Sequence, residues 1–506
     1  MFLIYHQNIH LLLLQGLILP TLIIFSVAIV LWYGIKIILK NTKKSALLSS
    51  FYIFLFFSYG HVFTIIESNF TQESFITIHV ILLISYTACV ILGTYYVVKT
   101  NQKLNDTTQI VNVMSIAAIV FIFFNIGIYN FENSYNIFQE ENSNAVVLGN
   151  DLRNTPDIYY IIMDEYAPLK TLEKYYDYDN SGFVKFLEEK GFYVTKNSHS
   201  NYAQTSTSLA STLNMKYLNY LSDKVGNESK DHRILYQMLD NNLVMRSFKS
   251  AGYQIYSFDS GAWSTRNLNI ADENLCSKNQ NVDFRTFYQL KQTSILRSFD
   301  VFIKEPTSRI FHQEHRDRII CQFEQVTKIK QETEEPVFVF MHVLSPHDPF
   351  VFGPNGEEVD YEFTFGPTGT TSLDSSEGIK AYRDQVIYLS KILQQTVNKL
   401  IEDSDNPPII ILQSDTGPDI SFADTTKEGH YIGRMSIFNA YYFPDEKYDL
   451  LYHDITPVNS FRVVFDSQFQ TNNGLLNDEL FFSTYEKLYA FIDITDLSIV
   501  DNYIYN

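Results

Sequence analysis

The sequence predicts a membrane-anchored α/β protein: four N-terminal transmembrane helices, then an outer domain with a mostly parallel sheet covered by helices on both faces. Three observations predict it. Four long apolar runs precede residue 131. Several short runs after it are apolar throughout rather than alternating, as in strands buried on both faces. These short runs alternate with amphipathic helical segments, the order of an α/β sheet. At 506 residues the chain has room for a membrane region and one large domain.

The four runs cover residues 11–33, 46–66, 75–98 and 110–129. Each is long enough to cross a hydrocarbon core of about 30 Å. No basic segment or small-residue cleavage site accompanies the first, so it reads as an anchor and not as a signal peptide. Lys40, Lys43 and Lys44 follow the first run, and Lys99 and Lys103 follow the third. The loop after the second holds Glu67 and Glu73 and no Lys or Arg. Basic loops stay in the cytoplasm. A multi-pass protein of the cell membrane is expected, with both termini and the C-terminal domain outside the cytoplasm. Asn69-Phe70-Thr71 and Asn227-Glu228-Ser229 are then outer glycosylation sequons, in a host with that machinery.

The chain holds 57 Asp+Glu against 38 Lys+Arg, net −19. The part before residue 136 is slightly basic, so the outer part carries the acidic excess. This argues against a nucleic-acid partner, which needs a basic patch, and suits a domain that binds cations. Of the three cysteines, Cys89 lies in an apolar run and reads as inert. Cys276 and Cys321 fit a disulfide in an outer domain or two free thiols.

The expected boundaries are 1–130 for the membrane region, 131–154 for an Asn/Glu-rich linker and 155–506 for the outer domain. Residues 157–163 read as a buried strand ending in Asp164-Glu165. Residues 181–191 read as a helix, 232–250 as another and 253–258 as a strand. Residues 337–341 form a second buried run, followed by His342 and His347. Residues 381–402 form a long amphipathic helix. Residues 408–412 are a third buried run, leading to Ser414-Asp415-Thr416-Gly417, and 437–443 a fourth, preceded by His430. Residues 260–320 carry no clear pattern.

Asp164-Glu165, His342 with His347, and Asp415 each follow the C-terminal end of a buried strand, or close one. In open α/β sheets ligands bind beyond those ends. Carboxylates are hard ligands for a divalent cation, and His adds zinc. Thr205, Ser206, Thr207 and Ser208 crowd the start of a helical stretch. A hydroxyl there can cap the helix, or be a nucleophile beside free N–H groups that also hold an anion. Turn chemistry is the competing reading for Pro346-His347-Asp348-Pro349 and for Asp415-Thr416-Gly417-Pro418. The convergence of all four pieces favours a site.

On these pieces the chain resembles the alkaline phosphatase/sulfatase superfamily. Ile161-Ile162-Met163-Asp164-Glu165, the segment at Thr205, Ser345-Pro346-His347-Asp348-Pro349-Phe350 and Ser414-Asp415-Thr416-Gly417 match its motifs in order and spacing over residues 155–445. Membrane spans ahead of an outer catalytic domain are similar to lipoteichoic acid synthases and phosphoethanolamine transferases. The resemblance implies Thr205 as a metal-held nucleophile and Asp164, Glu165 and Asp415 as metal ligands, Glu165 the weaker. It implies His347 as a substrate-side or leaving-group residue, with His342 and His430 further on the substrate side. Formylglycine chemistry is not expected, because Thr205-Ser206-Thr207-Ser208-Leu209 lacks the Cys/Ser-x-Pro-x-Arg pattern. Thr416 stands where such transferases commonly carry a zinc-binding His. The oxygen set of Asp164, Glu165, Asp415 and Thr205 therefore favours one calcium, magnesium or manganese ion, with zinc as an option.

The expected activity is phospho-group transfer or hydrolysis on a lipid-linked or glycan ester beside the bilayer. A formylglycine-free sulfate-ester hydrolase, or a non-catalytic binding protein, are the alternatives.

Overall fold

The computed structural model describes residues 17–69, 75–100, 105–133, 145–148, 155–262, 264–277, 284–299, 304–359, 376–402, 404, 406–420, 431 and 433–496. In chain order the helices α1 (Ile18–Leu39), α2 (Thr42–Asn69), α3 (Phe75–Lys99) and α4 (Asn105–Asn133) come first. Then come β1 (Ile158–Met163), α5 (Leu169–Tyr176), α6 (Ser181–Glu189), β2 (Tyr193–Val194), α7 (Thr205–Asn214), α8 (Tyr220–Val225), α9 (Arg233–Asp240), α10 (Leu243–Ser250), β3 (Gln254–Phe258) and β4 (Glu273–Leu275). The rest are α11 (Phe284–Thr293), α12 (Lys304–Val326), β5 (Val337–Val343), α13 (Ser376–Glu402), β6 (Ile409–Gln413), β7 (Asn439–Tyr442), α14 (Pro457–Gln468), β8 (Phe481–Thr484) and β9 (Lys487–Asp493). Two compact units divide the chain, Met1–Glu140 with Asn279–Thr307, and Glu141–Lys278 with Ser308–Asn506.

In the first unit α1 to α4 are each long and apolar enough to cross a membrane. They turn Leu22, Phe25, Ile84, Val113 and Phe124 outward, a surface matched to lipid rather than to water. Residues 11–16 of the first predicted span, and Phe70 and Thr71 of the first sequon, lie outside the described residues. Residues 279–307 leave the second unit's chain and join this one. There Arg297 donates to Thr64 Oγ1 at 2.9 Å and Glu67 Oε2 at 3.0 Å. Its guanidinium lies 4.1 Å from the centre of the Phe63 ring. Gly60 permits this docking: a Cβ there would stand 2.1 Å from Gln292 O.

The second unit is built on a seven-stranded sheet in the order β2-β7-β6-β1-β5-β3-β4. Strands β6, β1, β5, β3 and β4 run parallel; β7 runs antiparallel to β6, and the edge strand β2 pairs antiparallel with β7. Every residue of β1, β5 and β6 is buried, as continuous apolar runs require. One face packs Ile161, Met341 and Leu412 against Tyr382, Leu389 and Leu393 of α13. The other packs Tyr160 on Phe461 of α14 and Phe338 on Phe248 of α10. Each large apolar side chain so buried contributes about 1.5–3 kcal/mol. The predicted parallel sheet covered on both faces is present.

Local differences have local causes. The single helix predicted over 232–250 is two, because Asn242 caps α10 by accepting from Met245 N at 2.8 Å. The unassigned 260–320 stretch supplies β4, α11 and most of α12. Cys276 and Cys321 form a disulfide, Cα–Cα 5.9 Å, that ties the chain just after β4 to α12. The predicted linker falls mostly outside the described residues, as does His430.

Candidate active site

The strand register assembles the site. Ile162 stands opposite His342 on β5 and Gln413 on β6. Side chains alternate along strands, so Asp164, two past Ile162, and Asp415, two past Gln413, continue the row in which His342 stands. Ligand atoms of Asp164, His342 and Asp415 lie within 4.8 Å of one another, and all three residues are buried. Among the described residues, Asp164 Oδ1, Asp415 Oδ2 and His342 Nε2 are buried without a hydrogen-bond partner. Such atoms are costly unless something pairs with them. Two carboxylates and an imidazole nitrogen fit a divalent cation in both chemistry and spacing.

Neighbouring backbone holds these groups still. Asp164 N donates to Val343 O at 2.9 Å, and His347 N donates to Asp164 O at 3.1 Å. Ser208 Oγ donates to Asp415 O at 2.7 Å, and Ser200 Oγ lies 2.8 Å from the same oxygen. Gly417 allows the Asp415 turn to pass under the next segment, since a Cβ there would stand 2.0 Å from Gly433 O. Thr205 is the first residue of α7, after Gln204 in extended conformation with no side-chain cap. The half-buried Thr205 hydroxyl hydrogen-bonds the Asp415 carboxyl. Of its neighbours, Thr207 Oγ1 donates to Gln204 O at 2.9 Å and Ser208 serves Asp415. Of these three, Thr205 is the hydroxyl that bonds the Asp415 carboxyl.

Glu165 faces a different set. It sits at φ 62, a left-handed conformation rare for a branched-free acidic residue outside strained turns. Tyr382 Oη donates to Glu165 O at 2.7 Å, and Tyr166 N donates to Ser414 Oγ at 2.9 Å, which pins the turn. The Glu165 carboxylate is paired with Arg434 Nη1. Arg434 Nη2 also donates to Ala203 O, two residues ahead of α7, at 3.1 Å. His347 Nε2 lies 3.8 Å from Glu165 Oε1, and His347 Nδ1 lies 2.9 Å from Asp348 Oδ1.

The charges follow. Burial opposes a charged His347, but Glu165, Asp164 and Asp348 outweigh it and hold the imidazole well above its ordinary range. Burial and the nearby Asp164 charge push Asp415 up to about 7. Burial opposes ionised Asp164, yet His347, His342 and Arg434 keep its carboxyl low. His315 on α12, near His347, is pushed down to about 3 by burial and the cations Arg318 and His347. The site pairs an ionised carboxylate and a destabilised one with a protonated imidazole beside a hydroxyl.

Of the residues expected from the sequence, Asp164, Asp415, Thr205, Glu165, His342 and His347 come together here. His342 points its Nε2 at the carboxylates, 3.3 Å from Asp164 Oδ2. Arg434, absent from the sequence expectations, is a cation of the site, paired with Glu165. Its only local signal was a lone Arg ahead of a strand.

The sulfatase family profile matches residues 156–494. No curated protein matches the chain at the significance required. Among solved structures, the C-terminal periplasmic domain of EcEptC from Escherichia coli aligns at 13% identity and TM-score 0.45, over 71% of this chain and 99% of that one. The integral membrane lipooligosaccharide phosphoethanolamine transferase A from Neisseria meningitidis aligns at 11% identity and TM-score 0.38, over 78% and 70%. The phosphonate monoester hydrolase of Agrobacterium radiobacter aligns at 12% identity and TM-score 0.39, over 65% and 80%. With its profile spanning most of the second unit and every site residue inside that span, the chain belongs to the sulfatase family.

Proposed function

We propose that the chain is a metal-dependent hydrolase or transferase that acts outside the cytoplasm on a phospho-ester of an envelope lipid or glycan, with Thr205 as nucleophile. The observation that carries this reading is the trio of unpartnered buried atoms, Asp164 Oδ1, Asp415 Oδ2 and His342 Nε2, beside a hydroxyl at a helix N-terminus. A divalent cation held by Asp164, Asp415 and the Thr205 hydroxyl would polarise the ester and lower the hydroxyl's pKa. Thr205 gives its proton to Asp415 as Oγ bonds to phosphorus and the bond to the leaving oxygen breaks. His347 donates a proton to that oxygen. Free N–H groups in the first turn of α7 receive the transferred group's charge. An acceptor hydroxyl or water then attacks phosphorus and returns its proton to His347, and Thr205 regains its own from Asp415. The outer location of residues 155–506 and the boundaries 1–130 and 131–154 belong to the same proposal. Four helices long and apolar enough to cross a membrane, in the same chain, favour a lipid-linked donor.

The test is turnover by the full chain in detergent, loaded with a divalent metal, on phosphate and sulfate mono- and diesters. Thr205→Ala should lower phospho-ester turnover by at least about a thousandfold, and mass analysis of the wild type should find a phosphorylated Thr205. Turnover of sulfate esters only would overturn the phospho reading in favour of a sulfate-ester hydrolase. Absence of metal under every loading condition would leave the binding-protein reading. Protease cleavage of residues 155–506 in intact cells is the expected topology result; protection until lysis would refute it.

A further inference from the structure

We propose that His342 is the nitrogen ligand of the metal site and turns its preference toward a borderline transition cation such as zinc, away from calcium and magnesium. The inference rests on the metal-dependent reading above and adds its ligand set. His342 is fully buried in β5, where its neighbours are Phe340, Met341 and Val343. A buried imidazole needs partners for both nitrogens. Nδ1 has one, Thr265 Oγ1 at 2.7 Å, which is itself 2.8 Å from Ser260 Oγ. The ring's main chain is held as well, since Gln322 Nε2 donates to His342 O at 2.8 Å. Among the described residues Nε2 completes no hydrogen bond. It lies 3.3 Å from Asp164 Oδ2. A ring anchored through Nδ1, with Nε2 facing two carboxylates, is the geometry of a histidine oriented to bind a cation.

The rest of the donor set agrees. Glu165 pairs with Arg434, and its ligand atom groups with Asp164 and His347 instead of with His342 and Asp415. The side chain next to Asp415 is Thr416, which has no nitrogen to give. One imidazole, two carboxylates and one hydroxyl make four ligands, the number zinc takes in protein sites. Calcium takes six to eight oxygens, and magnesium keeps an oxygen octahedron. The competing reading is that His342 is a structural partner of Asp164, 3.3 Å away, with no role toward metal.

The experiment measures metal affinity of the full chain by competition titration for zinc and for calcium, in wild type and in His342→Asn, with thermal melting to confirm folding. The Asn amide offers oxygen in place of nitrogen. The expected result is a zinc affinity lowered at least about 100-fold and a calcium affinity changed less than about threefold. Thr265→Val, which leaves His342 in place but removes its anchor, should lower zinc affinity about tenfold. It serves as the second readout if His342→Asn does not fold. Cobalt-loaded wild type should show the intense visible absorption of a four-coordinate site, weakened in both variants. Zinc affinity unchanged in both variants, with metal still bound by the wild type, would overturn this inference and leave the metal-dependent reading standing. A wild type that binds neither cation would overturn both.

Discussion

Asp164 and Glu165 are chain neighbours at the end of one strand, and the fold treats them oppositely. Asp164 continues the alternation of β1 into a corner shared with His342 and Asp415, where polar atoms are left unpartnered. Glu165, turned by its left-handed backbone, enters a corner where Arg434 and His347 oppose its charge. The first corner leaves room in its chemistry for a cation. The second already brings an arginine and an imidazole to its carboxylate. Adjacent acidic residues therefore meet different partners, delivered by the sheet register in one case and by the turn in the other.

The sharpest way to break this comparison is Asp415→Asn. It should empty the metal site and lower activity by at least about a thousandfold, while the metal-free protein melts no lower, because a buried carboxylate repulsion is relieved. A large loss of melting temperature would mean that the first corner is also structural. Glu165→Gln should do the reverse, keeping metal content while costing about 3–5 kcal/mol in unfolding measurements, as when one partner of a buried ion pair is removed. Loss of metal in that variant would place Glu165 among the ligands.

A subtler difference lies in pH. Asp415 titrates at about 7 in the folded metal-free protein against an ordinary 3.8. Between those values the folded state holds a proton that the unfolded state has released, so this group's contribution to stability falls as pH rises from about 4 to about 7. Melting of stripped protein across that range should show the decline, and Asp415→Asn should lack that part of it. The smallest expected effect is Ser208→Ala, about 1 kcal/mol in denaturant unfolding, because Ser200 Oγ remains 2.8 Å from Asp415 O.

Much of the fold was legible because parallel strands buried on both faces are apolar from end to end, and polar residues at their ends stand out. Asp164 and Asp415 were visible for that reason. His342 was visible as a polar residue in an apolar run, but its partners were not. They depend on the pairing of Ile162 with His342 and on Thr265, in a stretch without clear periodicity. The Glu165–Arg434 pair spans 269 positions of chain and has no local signature. The break at Asn242 was missed because a cap inside a helical pattern looks like one more polar residue. The α12 helix went unassigned because its apolar positions are scattered among charges.

The Cys276–Cys321 bridge has a practical consequence for anyone wishing to cut this protein. It straddles residues 279–307, the excursion that joins the membrane unit. The second unit's chain is thus interrupted, and a single cut after residue 140 cannot release it. The bridge holds both flanks of the interruption together whatever the excursion does, with a closed-loop contribution of roughly 4 kcal/mol. The second unit is therefore to be made by replacing 279–307 with a short linker inside the loop that the disulfide already closes, and expressing it where that disulfide can form.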